Sequence, residues 1–136
     1  MKQRAVITGM GVVSCLGRDL QAFWHGLVEN RSGIAPIDRF DPAGLRNENA
    51  GQVRDFDFVP ATFGLDEPPD LATQFLLVAA REAIVRSALV AADERDPGVG
   101  AVFATNFGGG NAWEDYVAGL LAGEVRERAF AEFGFH

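Results

Sequence analysis

Residues 5–17 read Ala-Val-Ile-Thr-Gly-Met-Gly-Val-Val-Ser-Cys-Leu-Gly, and this stretch decides the fold. A short apolar run bounded by glycine predicts a strand that is buried on both faces, because it has no polar side to show. The three glycines are expected to supply the backbone freedom for a sharp exit from the strand. A second strand is predicted at Val99 to Thr105, and it too ends in a glycine turn, Asn106-Phe-Gly-Gly-Gly110.

The composition is that of an ordinary globular protein. The chain has 136 residues, of which 48% are hydrophobic and 23% charged, so residues 1–136 are expected to form one domain. The single cysteine, Cys15, excludes an internal disulfide and agrees with a reducing compartment. Since no long apolar run and no signal peptide are found, a cytoplasmic location is predicted. The formal charge of −7 argues against nucleic acid and anionic membranes as partners.

Three helices are predicted from apolar periodicity and capping residues. Asp19 is placed to cap the first helix, which residues 30–33 end. Asp70 or Thr73 begins the second, which runs to about Val90. The charged residues of the second helix, Arg81, Glu82 and Arg86, are expected to face water. The third helix carries Trp113, Val117, Leu120 and Leu121 at helical spacing, and the region 34–63 is irregular except for a short strand at 50–53.

Strand, glycine turn and helix in succession predict an α/β protein with parallel strands. Two strands alone leave free edges and an uncovered apolar face, and such edges pair with whatever strand is available. The isolated chain is therefore expected to be insoluble, molten or obligatorily associated.

Several residues are candidates for an active or binding site. Cys15 with His25 as its base resembles a nucleophilic pair, but a structural thiol and a surface histidine fit the pattern better. Asp55 and Asp57 are better explained as a solvated loop than as an acid/base couple. Gly-Met-Gly-Val-Val-Ser at residues 9–14 lacks the third glycine of a dinucleotide fingerprint. Two histidines and one cysteine show no metal-ligand spacing.

The sequence resembles the β-ketoacyl-acyl-carrier-protein synthases, in collinear order over nearly the whole chain. The matching segments are Val-Ile-Thr-Gly-Met-Gly-Val-Val-Ser at 6–14, Gly17, Phe23-Trp24, Arg-Ser-Gly-Ile at 31–34, Arg-Phe-Asp at 39–41, Gly-Gln-Val-Arg-Asp-Phe-Asp at 51–57, Thr73-Gln74 and Gly-Val-Gly-Ala-Val-Phe at 98–103. They correspond only to the front portion of such an enzyme.

The resemblance implies a partial thiolase-like α/β fold, in which the two predicted strands are parallel central strands of a larger sheet. It also implies acyl transfer and decarboxylative Claisen condensation in fatty-acid or polyketide chain extension, without a cofactor or metal. The catalytic cysteine and histidines of the family have no matching position here, so no catalytic residue is assigned. Acyl carrier protein and acyl or malonyl thioesters are the implied partners, together with a homo- or hetero-oligomer or the remainder of the synthase.

The same resemblance assigns a substrate-binding turn. Phe107, with Gly108 and Gly109, aligns with the family's turn in which one side chain gates the acyl pocket. A phenylalanine there is expected to shorten the space for an acyl chain, although a plain core aromatic explains it nearly as well. Two alternatives to an enzyme portion stay open, a non-catalytic split subunit or fragment with a structural role and a small nucleotide-binding α/β module.

One segment departs from the family pattern. Where the family commonly carries Lys and Arg before the second helix, residues 64–70 read Gly-Leu-Asp-Glu-Pro-Pro-Asp. Carrier proteins are typically acidic, so carboxylates at this position are expected to repel them. The alternative is that these carboxylates are simply solvated and do not affect carrier-protein binding.

Overall fold

A computed structural model of the chain describes residues 4–87, 98, 100–106 and 108–124. The chain divides into two compact units, Met1–Asp57 with Val78–Asp96 and Phe58–Leu77 with Pro97–His136. The described elements are α1 (Leu20–Val28), β1 (Ile34–Pro36), β2 (Asn49–Gly51), the 3₁₀ helix Pro60–Phe63, α2 (Leu71–Ser87) and α3 (Gly110–Leu121). None of the described helices is both long and apolar enough to cross a membrane.

Helix α1 forms where the sequence predicts it. Asp19 lies in extended backbone, and its carboxylate accepts a hydrogen bond of 2.8 Å from the Ala22 amide, the N-cap interaction expected for aspartate. Asn30, with φ of 53°, ends the helix in the left-handed region. Its apolar stripe is only partly covered, because the side chains of Trp24 and Val28 are exposed.

The first unit contains a two-stranded antiparallel sheet that the sequence showed only in part. β1 pairs with β2 in the register Ile34 with Gly51 and Pro36 with Asn49. The amide of Ile37 extends the ladder with a bond of 2.9 Å to the Glu48 carbonyl. The expected strand at 50–53 therefore lies one residue earlier and is shorter, and its partner falls in the region predicted to be irregular.

The two predicted parallel strands are not paired in the described chain. Residues 5–9 and 100–105 have no strand hydrogen bonding, and the only sheet among described residues is the antiparallel one. Their apolar side chains are open to solvent, with exposed fractions of 78% at Val6, 82% at Ile7 and 97% at Val102. A strand exists only with a partner edge, and no described segment supplies one.

Gly9 and Gly11 of the first stretch serve close packing, whereas Gly17 closes a turn with Ser14. None of Gly9, Gly11 and Gly17 has a positive φ, which corrects the role expected for them. A Cβ atom on Gly11 would lie 2.0 Å from the carbonyl oxygen of Ala79, and one on Gly9 would lie 2.1 Å from that of Ala83. Only glycine lets the backbone come this near to the α2 backbone.

Helix α2 is capped by Asp70, as the sequence predicts. The Asp70 carboxylate accepts bonds of 3.0 Å from the Ala72 amide and 3.2 Å from the Thr73 amide. The Thr73 hydroxyl also donates to it. Thr73 therefore supports the cap instead of being the cap, because the first turn already begins at Leu71.

Glu82 of α2 does not face water as expected. Its side chain is 17% exposed, and its carboxylate accepts from the Val12 amide at 3.2 Å and the Leu20 amide at 3.0 Å. The Arg86 guanidinium donates to the same carboxylate at 2.9 Å, one helical turn further on. Because Leu20 begins α1, Glu82 satisfies an amide that has no partner within its own helix.

The second unit holds the 3₁₀ helix and α3. The rings of Phe58 and Phe63 stack with centroids 4.9 Å apart, and those of Trp113 and Tyr116 stack at 5.8 Å on α3. The third helix is thus confirmed over Gly110–Leu121. Leu121 is 83% exposed, and in neither unit is a large described side chain fully buried.

Replacing Glu82 with alanine is expected to lower the free energy of unfolding by roughly 2–3 kcal/mol, because two backbone donors and Arg86 lose a charged acceptor. Glu82→Gln should cost less, since its amide oxygen still accepts. Urea denaturation followed by circular dichroism measures both. Glu48→Ala is the matched control, because that exposed side chain holds no described bond. Equal losses in the two alanine variants would show that the Glu82 contacts contribute nothing specific.

Candidate functional site

The predicted substrate-binding turn is described except at Phe107, which lies outside the described residues. The Gly108 amide donates a hydrogen bond of 2.8 Å to the Thr105 hydroxyl. Gly109 takes the left-handed conformation with φ of 77°, and its carbonyl accepts from the Trp113 amide at 3.0 Å. Among the described residues of this turn, positive φ falls on Gly109 and not on Asn106.

The glycines leave room beside the start of α3. A Cβ atom built on Gly109 or Gly110 would meet no atom of the described residues within 4 Å, whereas one on Gly108 would lie 2.7 Å from the Thr105 hydroxyl. Another group is therefore able to approach the backbone at Gly109 and Gly110 closely. The described part of the turn is open at these two glycines.

Cys15 and His25 do not form a catalytic pair. The Cys15 sulfur packs against the backbone, within 2.4 Å of where a Cβ on Gly33 would lie and 2.9 Å of one on Gly51. His25 is exposed on α1, and no hydrogen bond links the two side chains in the described chain. The structural thiol and surface histidine favoured by the sequence fit this arrangement.

The remaining sequence candidates are also not assembled into a site. Asp55 has a left-handed φ of 52°, and no hydrogen bond joins its carboxylate to Asp57. The dinucleotide fingerprint considered at residues 9–14 also gains little from the start of α1, because the Leu20 and Ala22 amides there already donate to the Glu82 and Asp19 carboxylates. The residues that the structure describes include no cluster of His, Cys, Asp and Glu able to hold a metal ion.

An open cleft of about 460 Å³ lies within the first unit and was not foreseen. Three arginines line it, together with Cys15 and the chain around it: the lining is Ser14, Cys15, Leu16, Gly17, Arg18, Asp19, Ala22, Arg31, Gln52, Val53, Arg54 and Asp55. Its lining comes from three separate segments, and no short motif marks them in the sequence. Only their folding around the turn from Ser14 to Gly17 brings them together, where the two residues exchange backbone bonds of 2.8 and 3.2 Å.

A polar network beside the cleft fixes one of its arginines. The Arg54 guanidinium donates to the Asp38 carboxylate at 2.8 Å and to the Pro36 carbonyl at 2.9 Å. The Gln52 amide also donates to Asp38, while its oxygen accepts from the Asp38 backbone at 3.3 Å. The bonds from Arg54 and then Gln52 hold the pKa of the Asp38 carboxyl below its ordinary value of 3.8, because they favour the charged form.

Comparison with known proteins matches residues 2–131 to the family described as beta-ketoacyl synthase, N-terminal domain. The chain is 36% identical over 124 residues to the 3-oxoacyl-[acyl-carrier-protein] synthase 2 of Synechocystis sp., covering 88% of this chain and 29% of that protein. It is 41% identical over 123 residues to the putative polyketide beta-ketoacyl synthase 1 of Streptomyces halstedii, covering 86% and 28%.

Among solved structures, the ishigamide ketosynthase/chain length factor superposes with a TM-score of 0.62 at 30% identity. The superposition covers 88% of this chain and 30% of that one. The likeness supports a thiolase-like fold. The chain thus spans under a third of the length of the relatives it matches.

The Asp38 network predicts a pH dependence. A folded pKa below the unfolded one means that the network stabilises the fold above about pH 4 and that this contribution is lost as the pH falls through the folded pKa. We expect carbon-detected NMR to give an Asp38 titration midpoint below 3.8. Arg54→Gln should raise the midpoint, and Arg46→Gln, outside the network, should not. A midpoint at or above the ordinary value would contradict the assignment.

Proposed function

The chain belongs to the β-ketoacyl synthase family, whose N-terminal domain it matches, and we propose that it acts as part of such a synthase in fatty-acid or polyketide chain extension. The observation that carries the proposal is the match over residues 2–131, supported by relatives of both kinds. The reaction would be acyl transfer to a cysteine followed by decarboxylative condensation. The catalytic cysteine and histidines would lie outside residues 1–136.

The remainder of the synthase would complete the sheet. The exposed Val6, Ile7, Val102 and Phe103 belong to the two segments predicted as parallel central strands. Burying one such side chain contributes about 1.5–3 kcal/mol, so covering both segments would add substantially to stability. The covering strands would come from the same polypeptide or from a separate subunit. In the second case the chain would be a structural split subunit.

An assay of chain extension tests the proposal. The purified protein together with the remainder of the synthase should condense acyl and malonyl groups held on a carrier protein. Residues 1–136 alone should not, because they contain no residue that matches the catalytic cysteine or histidines. Condensation by residues 1–136 alone would contradict the proposal that the catalytic residues lie outside this chain. If the complete assembly shows no condensation, only the structural role remains.

Phe107 is proposed to gate the acyl pocket, supported by its place before Gly108 and Gly109 and the open space at Gly109. In the active assembly, Phe107→Ala should shift acceptance toward longer acyl primers, because removing the ring frees volume. A change of roughly tenfold or more in relative kcat/KM between long and short primers is expected. Phe103→Ala is the control for general loss of an aromatic group, and an unchanged profile in Phe107→Ala would refute the gate.

The acyl carrier protein is the proposed partner, and the charge of the second unit restricts where it docks. In the parts of this unit that the structure describes, every charged side chain is acidic: Asp66, Glu67, Asp70, Glu114, Asp115 and Glu124. An acidic carrier protein would be repelled by this surface, most strongly at low salt. Docking is therefore proposed to use another surface of the synthase.

Reversing charge before α2 tests this repulsion. The double variant Asp66→Lys with Glu67→Lys should raise the low-salt association rate for an acidic carrier protein roughly tenfold, with the difference fading at high salt. Asp70 is left unchanged, because its carboxylate caps α2. Stopped-flow fluorescence measures the rate, and Glu48→Lys in the other unit is the control. An unchanged low-salt rate in the double variant would mean that these charges are merely solvated.

A further inference from the structure

The arginine-lined cleft of the first unit has no part in the function proposed above. Arg18, Arg31 and Arg54 line a space of about 460 Å³, large enough for a small molecule. We propose that this cleft binds the phosphate group of a small ligand through these three guanidinium groups.

Arg18 provides the first contact. Its described hydrogen bond goes to the backbone carbonyl of Asp55, so its charge has no carboxylate partner among the residues that the structure describes. A guanidinium carries five N–H donors in a planar fork. One carbonyl leaves the rest of the fork available to an oxyanion in the cleft.

The other two arginines are held by bonds that an anion can share or replace. Arg31 pairs with Glu29 at 3.0 Å, and both side chains are more than half exposed. Exposed ion pairs of this kind contribute at most about 1 kcal/mol, so Arg31 is free to turn to a stronger anion. Arg54 uses its Nε and Nη2 atoms on Asp38 and Pro36, which leaves Nη1 for a ligand.

The acidic residues of the lining set the limit on affinity. Two carboxylates of the lining oppose an anion: Asp19, which also caps α1, and Asp55, which has no described hydrogen bond. The start of α1 contributes little, because the Glu82 and Asp19 carboxylates accept from its Leu20 and Ala22 amides. The binding energy must therefore come from the guanidinium groups.

Phosphate fits this set of donors better than a carboxylate does. Three guanidinium groups on separate segments offer donors from several directions, and a carboxylate has only two oxygens to accept them. A phosphate monoester has three terminal oxygens and a charge near −2 at pH 7. It therefore has oxygens for more than one of these arginines, against the opposing charges of Asp19 and Asp55.

Inorganic phosphate is the probe, titrated into the purified protein at constant ionic strength and followed by NMR at the Gly17 and Asp55 amides. We expect a saturable shift with phosphate and none with chloride. Arg18→Ala and Arg31→Ala should each raise the apparent Kd roughly three- to tenfold, because each removes charged donors. Arg46→Ala, an exposed arginine outside the lining, should leave it unchanged.

The Asp55→Asn variant is expected to bind phosphate more tightly, in contrast to the arginine variants. It removes the opposing charge and keeps a residue that tolerates the left-handed φ of 52°, so phosphate should bind roughly two- to fivefold more tightly. This variant does not depend on how well the arginine variants fold. Equal shifts with phosphate and chloride, losses in Arg46→Ala as large as those in Arg18→Ala, or weaker binding by Asp55→Asn would each overturn the proposal.

Discussion

The carboxylate of Glu82 joins three parts of the chain that the sequence keeps apart. It binds the Val12 amide before the turn at Ser14, the Leu20 amide at the start of α1, and Arg86 on its own helix. A negative charge at this place also suits the positive end of the α1 dipole. The close approach of Gly9 and Gly11 to α2 is compatible with this contact, because both occur on the same stretch of that helix. These contacts hold the segment before Ser14 and the start of α1 against α2 in the first unit.

The parts of the fold that local chemistry decides were predictable. Asp19 and Asp70 cap helices because their carboxylates reach amides two or three residues on, which the sequence shows directly. Glu82 was misplaced on the solvent face because its partners lie up to 70 positions away, and no periodicity marks such a distance. The antiparallel pairing of Ile34 with Gly51 was missed for the same reason, as neither strand is long enough to alternate.

The two candidate sites also differ in whether a local sequence signal marks them. The glycine turn at Gly108 and Gly109 was found because glycine in a turn is a local signal, and the resemblance gave it a role. The cleft could not be predicted, since Arg18, Arg31 and Arg54 have no common spacing in the sequence. They come to line one cleft only when the chain folds. The two units also differ in charge, one offering arginines and the other, where described, only carboxylates.

The distance between Leu20 and Glu82 has a consequence for synthesis on the ribosome. The two residues are 62 positions apart, which corresponds to about 3–12 s of translation at ordinary rates. A helix of nine residues is too short to persist alone in water, and α1 must wait that long for its second capping carboxylate. During this interval the Leu20 amide has no Glu82 carboxylate to donate to. Helix α1 thus leaves the ribosome well before the carboxylate that completes the capping of its first turn.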